Sequence, residues 1–161
     1  MTILKAGFAA VAPAAAGFVG GVLGGIISDW FLRKNFSLSV ARKTPIILGM
    51  ILSMSIIVCN YTDDTTLVIF FMSLAFFGKG IGALGWAVNS DTAPKQIAGL
   101  SGGLLNTCGN ISSITTPIAI GYIVQGTGSF NGALVYVGVH AFIAALCYLF
   151  VVGEIKRVEL K

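Results

Sequence analysis

Charge is what this sequence has least of. Asp, Glu, Lys and Arg make up 10% of its 161 residues, where a water-soluble domain carries about 25%. A chain of this size folded in water needs a charged shell, and this one cannot supply it; lipid is the solvent that fits. Acid is scarcer still. There are six Asp and Glu residues, and none lies inside a long apolar stretch, since Asp29, Asp91 and Glu154 stand at stretch edges. No buried carboxylate pair, nucleophile–base pair or metal-ligand set is in view, so an enzyme is not expected. The three cysteines, Cys59, Cys108 and Cys147, are far apart and show no CxxC or Cys/His spacing. They predict neither a metal nor a cofactor, and read as small apolar packing residues. The net charge of +4 does not point to nucleic acid, because the cations fall in short clusters between apolar runs rather than along one helix face.

What is there in quantity is apolar: 56% of the chain, with a mean hydropathy of +0.92. A helix needs about 20 apolar residues to cross the bilayer core. Five stretches have that character, at about 6–32, 44–60, 66–88, 100–124 and 132–152. The first begins like a secretory signal peptide, but its apolar run continues to Leu32, well past a signal core, and stops at Arg33 and Lys34. The expected fold is all-α: a polytopic transmembrane helix bundle of about five spans with short connections, a single domain 1–161, in contact with the lipid bilayer.

Positive charge predicts the orientation. One side gathers Arg33, Lys34, Arg42, Lys43, Lys95, Lys156, Arg157 and Lys161; the other has Lys5 and the acidic pair Asp63–Asp64. By the positive-inside pattern the N-terminus is outside and the C-terminus cytoplasmic. Five helices with an outside start read as a six-helix half lacking its first member, because many transporters pair three-helix repeats into such halves. The chain is therefore expected to be part of a longer protein.

Several motifs stand out within the stretches. Glycines at 17, 21 and 25, and again at 20 and 24, form small-residue stripes that let helix backbones approach closely. Asp29 and Arg33, four residues apart at a membrane boundary, can pair along the helix, or Asp29 can face the positive end of a neighbouring helix; either contact would latch that face. Gly80, Gly82 and Gly85 match the dinucleotide fingerprint GxGxxG, but inside an apolar helix rather than after a strand, so the match is rejected. These glycines loosen or thin a membrane helix instead.

Lys79 is the most telling residue. It lies near the middle of the third stretch, where a lysine costs about 2.5–3.5 kcal/mol, so it is expected to face a polar cavity or a partner. Seven residues on, Trp86 falls on the same face of a regular helix. The fourth stretch carries Asn106, Asn110, Ser113 and Pro117 at spacings of four, three and four. Amides in hydrocarbon need partners: another helix, water or a ligand's hydroxyls. Lys79, Trp86, Asn106 and Asn110 are thus the candidate substrate-pathway residues, and Asp29 with Arg33 the candidate gate. His140, in the fifth stretch, has two readings, a proton relay or, more simply, a histidine hydrogen-bonded to a neighbouring helix.

With these residues in view, the sequence resembles the anion:cation symporter family of the major facilitator superfamily, and within it the bacterial glucarate/galactarate permeases, with galactonate permeases further away. The stretches carrying the likeness are GGVLGGIISDW (20–30), ARKTPI (41–46), CNYT (59–62), LAFFGKGIGALGWAV (74–88), SDTAPK (90–95), GLSGG (99–103), TPIAIGYIV (116–124), GSFNGALVYVGV (128–139) and VGEIKRVELK (152–161). The resemblance implies an incomplete C-terminal half of a twelve-helix fold, beginning just before the eighth helix. It implies a proton-coupled permease of the bacterial inner membrane that works by alternating access. Its partners would be a sugar-acid substrate, protons and the missing N-terminal half. By resemblance Trp86 and Asn106 match positions lining the sugar-acid site, and Asp29 and Arg33 fall in the counterpart of a cytoplasmic-loop motif. Two rival readings of the residues are a structural or regulatory membrane subunit assembling through the glycine stripe, and a channel of several copies. A channel would use rings of repeated charge, which this sequence lacks.

Overall fold

The computed structural model describes residues 3–159, with side chains from Gly7 onward. Lys161 and the side chain of Lys5, both counted toward the orientation, lie outside the described residues. The elements are α1 (Ile3–Arg33), α2 (Leu38–Ser53) running on as a 3-10 helix (Met54–Tyr61), α3 (Thr65–Ile81), a 3-10 turn (Gly82–Leu84), α4 (Gly85–Thr92), a short turn (Lys95–Ile97), α5 (Ala98–Thr127), α6 (Asn131–Leu146) and a π-helical segment (Cys147–Val151). The described residues contain no strand.

Local chemistry sets these limits. After α1, Asn35 takes a left-handed backbone (φ 61°), and the amides of Asn35 and Phe36 bond back to Leu32 and Phe31 at 3.0 and 3.1 Å. Ser37 then opens α2 by accepting from the Val40 amide at 3.3 Å, and Asp64 opens α3 by accepting from the Thr66 amide at 2.7 Å. Pro94 cannot continue α4 and holds Ala93 extended (ψ 136°). Gly128, at φ 67°, closes α5.

Among the described residues, four segments are long and apolar enough to cross a membrane: Gly7–Arg33, Leu38–Tyr61, Thr65–Thr92 and Asn131–Val151. The stretch expected at 100–124 is the helix α5, 30 residues long, but its Ser, Thr, Asn and Gly content dilutes its hydropathy and it is not among the four.

The tightest seam runs between α1 and α3. A Cβ placed on Gly24 would lie 2.8 Å from the Ile81 carbonyl oxygen, and one on Gly20 would run into the Phe77 carbonyl. Gly80, on the facing helix, meets the Gly17 backbone in the same way. A second close approach joins α2 to α3, where a Cβ on Gly78 would stand 2.5 Å from the Gly49 carbonyl. Only glycine permits such contact, as the small-residue stripes predicted. Gly25 is the exception, with nothing within 4 Å. Many buried residues are small, among them Ala41, Ala75, Ala133 and Ala145, beside the larger Ile46, Ile56 and Ile81. In contrast, α5 buries no residue and packs only on α4, α6 and the turn that precedes it.

Candidate functional site

α3, α4 and α5 together frame a groove. Trp86, 54% exposed, stands on the first turn of α4 and lines a cavity of about 360 Å³ with Asn106, Gly109, Asn110 and Ser113 of α5. Ser113 is shared with an adjoining cavity of about 380 Å³, lined by Lys79, Ser112, Thr116 and Pro117. The amide and hydroxyl stripe of α5 therefore faces both Trp86 and Lys79. One hydrogen bond fixes α5 near this cleft: the Ser101 hydroxyl donates to Asn89 Oδ1 at 2.6 Å. Ser113 itself donates to the Gly109 carbonyl at 3.1 Å, and Thr107 to Gly103 at 2.9 Å. These hydroxyls are satisfied along their own helix, whereas the two asparagine amides make no hydrogen bond among the described residues.

Seven-residue spacing put Lys79 and Trp86 on one stripe of a regular helix. They line separate, adjoining cavities instead, because the 3-10 turn Gly82–Leu84 interrupts the helix between them. The Lys79 ammonium lies 5.8 Å from the centre of the Phe76 ring and forms no ion pair among the described residues. It also borders a third, mostly apolar cavity of about 480 Å³ between α2, α3 and α6, lined among others by Ser53, Phe76 and His140. His140 does not bond to a neighbouring helix. Its Nδ1 lies 2.8 Å from the carbonyl of Tyr136, one turn back on α6, and its ring packs on the Tyr136 ring at 4.2 Å.

Asp29 and Arg33 are not paired. The cation nearest Asp29 is Arg42 of α2, whose Nη1 lies 3.8 Å from Oδ1, and Arg33 makes no ion pair among the described residues. The Arg42 guanidinium is the centre of this end of the bundle. Its Nε donates to Asp91 Oδ2 of α4 at 2.7 Å, and its Nη1 to the Ser28 hydroxyl of α1 at 2.8 Å; Ser28 is fully buried. Arg42 thus ties three helices together through its fork of donors. Local spacing favours i,i+4 pairs and cannot show a contact 49 residues apart. The available signal was a cation and two acids, Asp29 and Asp91, all at apolar-stretch edges on the same side.

A sequence profile of the Major Facilitator Superfamily matches residues 1–160. The chain belongs to the major facilitator superfamily. Over all 161 residues it is 70% identical to the probable galactarate/D-glucarate transporter GudP of Escherichia coli strain K12, covering 36% of that protein. It is 60% identical to the probable galactarate/D-glucarate transporter GarP of the same strain, again covering 36%. It is 46% identical over 158 residues to a D-galactonate transporter of Escherichia coli O6:H1, with 98% of this chain and 36% of that protein aligned. The chain thus spans about a third of the length of the curated relatives it matches. These relatives are described as transporters and not as enzymes, and with its apolar helices the chain is a multi-pass membrane protein. The family resemblance read from its motifs is correct.

Proposed function

We propose that this chain forms one part of a secondary active transporter importing sugar-acid anions of the galactarate and glucarate type, together with protons, by alternating access. The observation that carries this reading is the groove between α3, α4 and α5, where a cation from the last turn of α3 without an ion-pair partner among the described residues, an indole and two amides converge. A sugar acid offers the complementary set: carboxylate, apolar ring or chain carbons, and hydroxyls. In this reading Lys79 supplies positive potential to the carboxylate, directly or through water. Trp86 offers a flat surface to the carbons, and Asn106 and Asn110 bond the hydroxyls. The relatives' names supply the substrate class.

The groove has one wall. An N-terminal half and a preceding helix would supply the other, along with the proton-coupling carboxylate, since the acids of the apolar spans here, Asp29 and Asp91, stand at span ends. α5 would then cross the membrane as a fifth span, its amide face turned from lipid toward the groove. The basic clusters support a reading with the N-terminus outside and the C-terminus in the cytoplasm of a bacterial inner membrane. The Arg42–Asp91 pair, with Asp29 beside it, would latch the cytoplasmic end.

The test is a graft in which this chain replaces the matching segment of the 70%-identical Escherichia coli relative. Saturable galactarate uptake is expected from the graft, and none from this chain alone. A charge-assisted contact contributes about 1.5–3 kcal/mol, and each 1.4 kcal/mol is about tenfold in affinity. Lys79→Gln should therefore weaken binding by about one to two orders of magnitude, without lowering the amount of protein in the membrane. Normal binding by that variant would make Lys79 a structural cation and remove it from the site.

A further inference from the structure

Residues 154–159 are rich in charge, yet the segment is docked. Ile155 is 3% exposed, and its amide donates to the Ser39 hydroxyl in the first turn of α2 at 2.7 Å. Two residues on, the Arg157 guanidinium donates to the Ser90 carbonyl of α4 at 3.0 Å. The Val158 amide then donates to the Thr92 carbonyl at 3.0 Å. On the near side Lys43 of α2 donates to the carbonyl of Val152, where the tail leaves the π-helical segment. The tail crosses from the end of α6, over the start of α2, to the end of α4.

These contacts answer a particular need. A helix that stops leaves its last carbonyls without partners, and Pro94 stops α4 abruptly at a bundle end. The Ser90 and Thr92 carbonyls are two of those acceptors, and the tail supplies both donors. The anchor points also bracket the ion pair already described: Arg42 lies between Ser39 and Lys43 on α2, and Asp91 lies between Ser90 and Thr92 on α4. The same two helix ends are therefore held twice, once by the Arg42–Asp91 bond and once by the tail.

We propose that residues 153–159 are a strap whose anchors, Ile155 and Arg157, are positioning residues for the Arg42–Asp91 pair, holding α4 in the register at which that pair closes. Whether closure gates transport rests on the function proposed above; the strap itself does not. Without it, the end of α4 keeps the Arg42–Asp91 and Ser101–Asn89 side-chain contacts but loses the donors to its last carbonyls, and frays.

The experiment uses this chain in membranes, with its native cysteines replaced and one reporter cysteine at Ala93, which is 5% exposed at the end of α4. Labelling by a water-soluble maleimide is expected to be slow in the parent. It should rise about tenfold or more in Ile155→Asp and in a chain ending at Gly153, and stay slow in Ile155→Val. A second reporter at Ala75, 4% exposed in α3, should stay protected in every variant, which separates local opening from failure to fold. If Ile155→Asp exposes both reporters, Ser39→Ala and Arg157→Ala replace it, each with an expected rise of about threefold at position 93 alone. Coupling to the ion pair is read by combining Ile155→Asp with Asp91→Asn: the joint rise should fall well short of the product of the single ones. Unchanged labelling without the tail, or rises that simply multiply, would overturn the proposal and leave the tail a passive cover. In the graft, Ile155→Asp should lower the maximal uptake rate more than it changes the half-saturating concentration. A graft that carries no substrate at all would defeat the proposed function, while the labelling result would stand.

Discussion

The α1–α3 seam and the α5 face are built from equally small side chains, and they end in opposite states. Along the seam, glycines on both helices bring backbone onto backbone, and nothing larger fits. On α5, Gly99, Gly103, Gly109, Gly121 and Gly126 have nothing within 4 Å of a would-be Cβ, and the helix buries no residue. Small residues alone therefore do not specify packing. What distinguishes the two is the company they keep: Phe, Ile, Val and Leu around the seam, Asn, Ser and Thr around the open face. The first set closes a contact within the chain, and the second leaves a polar surface available to a ligand or another wall.

The largest effect expected from breaking this contrast is at the seam. Gly20→Val drives a side chain into the Phe77 backbone, and overpacking of this kind costs about 3 kcal/mol. The same change at Gly25, in the same helix but facing open space, should stay within about 0.5 kcal/mol. Thermal unfolding of this chain in mild detergent measures both, and equal losses would dissolve the seam. Next in size is Arg42→Ala, which strips Asp91 and Ser28 of their shared donor. A loss of about 2 kcal/mol is expected from a charged hydrogen bond of this kind, against about 0.5 kcal/mol or less for Arg33→Ala. A larger loss at Arg33 would restore the i,i+4 pairing as the dominant contact. The smallest stability effect belongs to the open face. Asn110→Ala should leave unfolding within about 0.5 kcal/mol of the parent, yet lower sugar-acid affinity of the graft by about threefold to tenfold. A change in stability without a change in affinity would make α5 a packing helix after all.

The helices were legible because lipid demands long apolar runs, and the run lengths alone located α1, α2, α3 with α4, and α6. The stretch at 100–124 was read as a fifth apolar span; it is a helix, but its Asn, Ser, Thr and Gly content keeps it outside the four apolar spans. The groove was legible in part: Lys79 announces itself by its misplaced charge, and Trp86 and Asn106 by resemblance. Three things were not legible. Arg42 reaches Asp91 across 49 residues, and spacing rules describe only neighbours on one helix. His140 satisfies itself on its own backbone, a choice that depends on a rotamer rather than on residue type. Ile155 sits among charged residues and so reads as exposed, but the bundle end offers it a place that only the assembled helices create.

The short turn Gly82–Leu84 has an angular consequence. An α-helix winds about 100° per residue and a 3-10 helix about 120°. Over the seven steps from Lys79 to Trp86, a regular helix would finish about 20° short of two full circuits, while three tighter steps carry it about 40° past. The indole is thus swung about 60° in azimuth from where uninterrupted winding would set it. A molecule touching both side chains must lie oblique to the helix axis, slanting across the groove toward Ser113. Unwinding those three residues to ordinary α geometry would turn the indole back through the same arc while leaving the ammonium where it stands.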